Sequence, residues 1–240
     1  VEDVHFTRKA SAEGIGYKAL ACNISDIAAM GGIPTYAVVS LGIPADLKVS
    51  YIEHMYRGMQ ALASQFGVSV VGGDTVKSQK IILNIALLGE VKKKHLVLRS
   101  GARPGDQIFV SGPLGGSLKS GRHLSFMPRV AQARFLVKNF KPTAMMDISD
   151  GLAGDLNHIL SASKVGAILD ETSIPKNYGV TLKQALSDGE DYELLFTLNP
   201  TRAKALIKWQ QKNKKWCFYP VGHITKNPKQ RISSSSFTHF

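Results

Sequence analysis

The stretch Arg99-Ser100-Gly101-Ala102-Arg103-Pro104-Gly105-Asp106 decides how the chain divides. Glycine, proline and short polar residues favour turns, and an apolar strand, Gln107 to Val110, starts afresh after them. The stretch therefore reads as the boundary between two units, residues 1–98 and 103–240. Before it, Ile15, Ala19, Cys22, Asp26 and Met30 recur at helical spacing, which predicts a helix from about Gly16 to Met30, stopped by Gly31-Gly32 and Pro34. A strand from Pro34 to Ile43 and an amphipathic helix from Val49 to Phe66 follow, then strands at Val68 to Val71 and Lys80 to Val91 separated by a turn at Gly72-Gly73-Asp74-Thr75. After the boundary come a glycine-rich turn at Gly112 to Gly116, a helix near Pro128 to Val137 and a strand at Ala144 to Asp147. A helix over Gly151 to Ala162, strands at Gly166 to Leu169 and Tyr192 to Leu198, and a basic helix from Thr201 to Lys214 complete the pattern. The first unit mixes hairpin-like strands with helices. The absence of a fixed repeat excludes solenoids and propellers.

The chain carries 30 Lys and Arg against 18 Asp and Glu, a formal net charge of +12. Most of the surplus lies after Leu194, where Arg202, Lys204, Lys208, Lys212, Lys214, Lys215, Lys226, Lys229 and Arg231 meet no acid. Trp209, Trp216, Phe218 and Tyr219 interleave with these lysines, a pattern that nucleic-acid binders share. The helical spacing of Leu206 and Trp209 favours packing with solvated lysines, so no nucleic-acid partner is expected. The most apolar run, Ile81 to Leu88, is far shorter than the roughly 20 residues of a membrane helix, so no membrane partner is expected either. Val1 to Phe6 has no leader-like pattern and reads as a chain beginning inside a strand, with more sequence upstream. Cys22 and Cys217 lie outside any paired motif, which favours reduced thiols in the cytoplasm. Ser233 to Ser236 suggests a flexible terminal arm.

Gly72 to Ser78 lacks the second glycine of a Walker loop, and no zinc-protease or serine-hydrolase motif occurs. Gly14-Ile15-Gly16 follows no apolar strand and reads as a plain helix start. What stands out is carboxylates in costly places. Asp26 shares its stripe with apolar residues, where an isolated carboxylate shifts its pKa or needs a cation, although a hydrogen-bonded acid at a helix end would also explain it. Asp74 ends a strand that reads as buried, though Gly-Gly-Asp is also a common turn. In Asp147-Ile148-Ser149-Asp150-Gly151, helix capping accounts for Ser149 or Asp150 but not for Asp147. Asp188-Gly189-Glu190-Asp191-Tyr192-Glu193 packs four acids into six residues, as a ligand site or as a solvated turn. Hard oxygen donors of this kind suit Mg²⁺ and phosphoryl chemistry on a nucleotide. Arg99 to Ala102 and the Gly112 to Gly116 loop are candidate phosphate holders.

In order, Val1 to Phe6, Asn23 to Gly31, Gly72 to Thr75, Arg99 to Asp106, Asp147 to Leu152 and Gly189 to Leu194 resemble the thiamine-monophosphate kinase family, within the aminoimidazole-ribonucleotide-synthetase-like superfamily. The resemblance spans nearly the whole chain. It implies the two-domain α+β fold of that superfamily, with an N-terminal ATP- and metal-binding domain that dimerises and a C-terminal domain that completes the site. The implied activity is Mg²⁺-assisted in-line transfer of the ATP γ-phosphoryl group to thiamine monophosphate, with several metal ions and no general base or covalent nucleophile. By motif position, it implies Asp26, Asp74, Asp147 and Asp150 as metal ligands, and Tyr56, Gly73, Asp74, Arg99 and Ser149 as ATP contacts. It implies His5, Glu190 and Phe237 as thiamine-phosphate contacts, and a homodimer.

Asp3 and Asp188 stand where the family usually has glycine, and Gly116 to Pro128 is shorter than expected. The family's upstream Asp-rich segment is missing before Val1, so these residues alone are expected to hold an incomplete metal cluster and to catalyse weakly or merely bind nucleotide. The alternatives are another ATP-using member of the superfamily and a basic nucleic-acid-binding module.

Overall fold

In the computed structural model, which describes residues 1–232, a three-stranded sheet and a five-stranded sheet meet across one long helix. That helix, α1 (Ala12–Ala29), starts where Ser11 Oγ accepts the Gly14 amide at 3.1 Å, earlier than the apolar spacing alone suggests. It ends at Gly31, whose φ of +75° reverses the chain. β1 (Ile33–Ile43) follows, then α2 (Val49–Phe66), closed by Gly67 in the left-handed conformation. α1 and α2 pack so closely that a Cβ on Gly16 would lie 1.8 Å from the Met55 carbonyl oxygen, and one on Gly58 1.9 Å from that of Glu13. The Gly14-Ile15-Gly16 segment thus serves helix contact.

β2 (Ser69–Lys77) pairs in parallel with β1, and β3 (Ile82–Glu90) pairs antiparallel on its other side. This corrects two expectations. Gly72-Gly73-Asp74-Thr75 is not a turn but the middle of β2, and the strand is exposed along its whole length rather than buried. The turn falls after Ser78 instead, because β1 occupies the place between β2 and β3. A Cβ on Gly73 would sit 2.0 Å from the Val39 carbonyl oxygen, so the glycine allows strand contact. Nor does the chain begin in a strand. Val1 to Phe6 folds back on itself, with Asp3 at φ +64° and the His5 amide donating to the Val1 carbonyl at 2.9 Å.

The second sheet runs β5-β7-β4-β8-β6, every neighbouring pair antiparallel: β4 (Gln107–Val110), β5 (Ala144–Asp147), β6 (Gly166–Leu169), β7 (Leu194–Leu198) and β8 (Tyr219–Thr225). α3 (Ser117–Ser120), α4 (Val130–Asn139), α5 (Leu152–Ser163), α6 (Leu182–Ser187) and α7 (Pro200–Lys212) accompany it. β7 starts later than expected because Glu190 and Tyr192 take positive φ values of 65° and 51°, which no strand tolerates. Sequence patterning misses β8, where Pro220 sits at a register shift and Gly222 admits the Ile168 carbonyl oxygen, 2.2 Å from where a Cβ would stand. It also misses α6, a six-residue helix held by a Thr181–Gln184 capping box.

The aromatics of the basic region pack inward: Phe135 meets Trp209 at 4.5 Å and Trp216 at 5.1 Å between ring centroids. Ala28 and Val97 join a core built on β4, β5 and β7, while Phe126 and Tyr192 join the core of the first sheet. The two units therefore share packing around α1.

Candidate active site

Ile15, Lys18, Ala19, Cys22, Asp26, Ala29 and Met30 fall within roughly a 120° arc of α1 at 100° per residue. This one stripe lines two cavities. Asp26, Ala29 and Met30 border a cavity of about 420 Å³ with Arg99, Ser100, Met145 and Asp147. Ile15, Lys18, Ala19 and Cys22 border one of about 220 Å³ with His5, Glu190 and Tyr192. From Lys18 to Asp26 the helix rises about 12 Å, at 1.5 Å per residue.

At the first cavity Asp147, the last residue of β5, is buried, and its carboxylate accepts the Ser25 hydroxyl at 2.5 Å. Burial, reinforced by the neighbouring charge of Asp26, pushes its pKa up to about 6. Asp26 is exposed as a residue, yet its partly recessed carboxyl is also shifted upward by desolvation, against the pull of Arg99. Among the described residues, no Lys or Arg forms an ion pair with either acid. Beside them the loop after β5 is fastened from within: the Ser149 and Asp150 amides donate to Asp155 Oδ2 at 3.0 and 2.9 Å. Burial carries the Asp155 pKa up to about 8. Asp150, Asp155 and His158 present ligand atoms that all lie within 4.8 Å of one another.

At the second cavity Glu190 is buried against Lys18, with Nζ 2.6 Å from Oε1. The acidic run is thus no solvated turn; its acids are folded inward and met by protein donors. Asp191 accepts the Gly115 amide at 2.7 Å and the Ser117 hydroxyl at 2.6 Å, and Arg122 pairs with it at 3.1 Å. Burial still raises its pKa to about 6. Glu193 takes Arg129 and the Ser111 hydroxyl. The amides of Gly115 and Gly116 are spent on Asp191 and Asp188, so this loop cradles the chain's own carboxylates rather than offering those N–H groups to a phosphate. The two ends of the site are joined, since the Glu190 amide donates to the Ser149 carbonyl at 2.7 Å and the Tyr192 amide to that of Ile148 at 2.8 Å.

The fold thus gathers Asp26, Arg99 and Asp147 at one cavity, sets Ser149 and Asp150 on the adjoining loop, and places His5 and Glu190 at the other cavity. Asp74 stands apart: it shares the outward sheet face with Ser40 and Asn84 and lines a separate depression of about 260 Å³. Gly73 lies beside it on β2, and Tyr56 sits on the outer face of α2 with Arg57, Gln60 and Ser64. Phe237 lies outside the described residues. Sequence patterning misses Lys18, which reads as a solvated helix lysine, and Ser25, Asp155, Arg122 and Arg129. For Asp155 a signal exists: it is the acid in the first turn of the helix after Asp147-Ile148-Ser149-Asp150-Gly151.

Family models for the N-terminal and C-terminal domains of AIR synthase related proteins match residues 1–91 and 113–234. The thiamine-monophosphate kinase of Bacillus subtilis is 40% identical over 228 residues, covering 83% of this chain and 70% of that protein. This chain belongs to the thiamine-monophosphate kinase family. The family's Aquifex aeolicus member is 38% identical over 224 residues, covering 82% of this chain and 72% of its own. A solved complex of AaThiL with AMPPCP and TMP superposes with a TM-score of 0.88 at 33% identity, over 100% of this chain and 84% of that one. The fold is therefore the two-domain α+β fold of AIR synthase related proteins. The hydrogenase maturation protein HypE shares it at a TM-score of 0.73, 22% identity, and coverage of 88% and 71%.

Proposed function

We propose that this chain transfers the γ-phosphoryl group of ATP to the phosphate of thiamine monophosphate, giving thiamine diphosphate and ADP. The observation that carries the reading is the single stripe of α1, which brings Asp26 to Asp147 at one cavity and Lys18 to Glu190 at the other, Lys18 and Asp26 being about 12 Å apart along the helix. The solved relative with AMPPCP and TMP supports the same two ligands.

The donor set fits Mg²⁺. Asp26 and Asp147 are hard oxygen donors with no protein cation paired to them among the described residues, and burial together with the charge of Asp26 raises the cost of ionising Asp147. Asp26, Asp147 and Asp150 would hold the ions, with Asp74 as a further ligand. Ions held by these residues would supply neutralisation of phosphate charge and Lewis-acid polarisation of the transferring group. The chain's own work is positioning. Arg99, at the mouth of the first cavity, and the Ser149 loop receive ATP, with Gly73 and Tyr56 as further contacts. His5 and Glu190, with Phe237, hold thiamine monophosphate at the other end. The acceptor oxygen is already anionic, so transfer needs alignment of the two phosphates and no base.

A homodimer formed through the outward face of the first sheet, and residence in the cytoplasm, belong to this reading. No nucleic acid takes part. Among the described residues no helix is long and apolar enough to cross a membrane. The test is a coupled assay of ADP release with Mg²⁺, ATP and thiamine monophosphate. ADP release that depends on thiamine monophosphate is expected, and release indifferent to it overturns the proposal.

A further inference from the structure

Both groups assigned to thiamine monophosphate within the described residues, His5 and Glu190, meet at one buried ammonium. Lys18 Nζ donates to the His5 carbonyl oxygen at 2.7 Å and to Glu190 Oε1 and Oε2 at 2.6 and 2.7 Å. An ammonium has three N–H donors, and three acceptors use them all, so Lys18 keeps none for a ligand. We infer that Lys18 is a positioning residue for substrate recognition, one that sets where His5 and Glu190 face the thiamine monophosphate without touching it. The inference rests on the function proposed above and deepens it.

Burial argues first. The Lys18 and Glu190 side chains are 6% and 3% exposed. Two charges withdrawn this far from water are tolerated only as a closely fitted pair, and removing one strands the other. Connection argues second. Asp191 and Glu193 are held by Gly115, Ser117, Ser111, Arg122 and Arg129, all from the second unit, whereas the carboxylate of Glu190 is held by α1 of the first. Lys18 therefore ties the Glu190 loop to the N-terminal turn that carries His5. Backbone geometry argues third. Glu190 and Tyr192 both sit at positive φ, 65° and 51°, a conformation that non-glycine residues keep only when their surroundings hold them there. Both strained residues are tied to α1 at the cavity they border, Tyr192 by the Cys22 thiol at 3.0 Å and Glu190 by the Lys18 ammonium, which also reaches the His5 carbonyl.

The test compares Lys18→Met, Lys18→Arg, Glu190→Gln and the double variant Lys18→Met with Glu190→Gln, all in the full chain. The readouts are KM for each substrate, kcat, and thermal stabilisation by each substrate. Lys18→Met is expected to raise KM for thiamine monophosphate at least about tenfold while KM for ATP stays within about twofold. Lys18→Arg, which keeps the charge, is expected to recover part of that loss. If Lys18 works through Glu190, the double variant binds thiamine monophosphate no worse than Glu190→Gln alone. Should Lys18→Met fail to fold, the double variant, with neither buried charge, carries the comparison. An unchanged KM for thiamine monophosphate in Lys18→Met, an equal rise for ATP, or additive losses in the double variant overturns the inference. A parent chain that thiamine monophosphate neither stabilises nor engages in turnover overturns the proposed function, and the inference falls with it. Normal turnover of the parent with an indifferent Lys18→Met overturns the inference alone.

Discussion

Asp147 sets stability against function in one side chain. Its carboxylate is buried at the end of β5 beside Asp26, and its charge is unfavourable there until a cation arrives. In Asp147→Asn, the Ser25 hydroxyl can still donate to the amide oxygen while the repulsion from Asp26 disappears. Kinase activity is therefore expected to fall at least about 100-fold, while the melting temperature in EDTA stays level or rises. A clear drop in that temperature would show that Asp147 serves the fold. Cys22 and Cys217 make a second contrast. Burial pushes the Cys22 pKa up to about 12, and its thiol donates to the Tyr192 hydroxyl at 3.0 Å, while Cys217 is exposed. A thiol pKa raised this far leaves only about one molecule in 10⁴ as thiolate at pH 8. An aromatic disulfide reagent at pH 8 should titrate Cys217 at once and Cys22 only after denaturation; two fast thiols would refute this. At this scale the sequence discloses acids that capping cannot explain, such as Asp147. It hides Lys18, because a lysine on a helix is ordinarily solvated and only tertiary packing buries this one.

The stripe of α1 carries the site, and the partner element that fixes its angle is α2. The contact depends on Gly16 and Gly58, each facing a carbonyl oxygen of the other helix at less than 2 Å from where a Cβ would stand. Gly58→Ala would gain about 1 kcal/mol of helix propensity. The methyl group nevertheless collides with the Glu13 backbone, which cannot retreat without moving α1. The net effect should be a loss of about 2–4 kcal/mol, read as a lower denaturation midpoint in urea. A variant as stable as the parent would mean that the helices can separate freely. The periodic helices α1 and α2 and the short apolar strand β5 are legible from the sequence because their local preferences agree with the packing. β8 is not, since Pro220 and Gly222 break the strand pattern for a register shift and a close carbonyl, neither of which exists until β4 and β6 are in place. β2 misleads in the opposite way: its glycines imitate a turn but serve contact with β1.

At the scale of the whole molecule, the described residues leave one face without a cover. On the outer side of the first sheet Tyr36 is 51% exposed, Val38 41%, Val76 56% and Leu88 64%. Register places Tyr36 beside Leu88 and Val38 beside Ala86, so these side chains form a continuous patch rather than scattered contacts. Apolar patches of this kind on a folded chain mark protein interfaces. Asp74 belongs to the same face, beside Ser40, and does not line the cavity of Asp26 and Asp147. A lone copy therefore presents the acid pair without the fourth proposed ligand. Val38→Asp would put a charge into the patch while leaving the buried side of the sheet untouched, because Val38 alternates with buried Ala37 and Val39. The parent is expected to sediment as a dimer at micromolar concentration and the variant as a monomer with a similar melting transition. If Asp74 reaches the metal site only in the assembled pair, the monomer should also lose kinase activity at least about tenfold. Loss of the dimer with full activity would remove Asp74 from the metal site, and a parent that sediments as an active monomer would remove the interface itself.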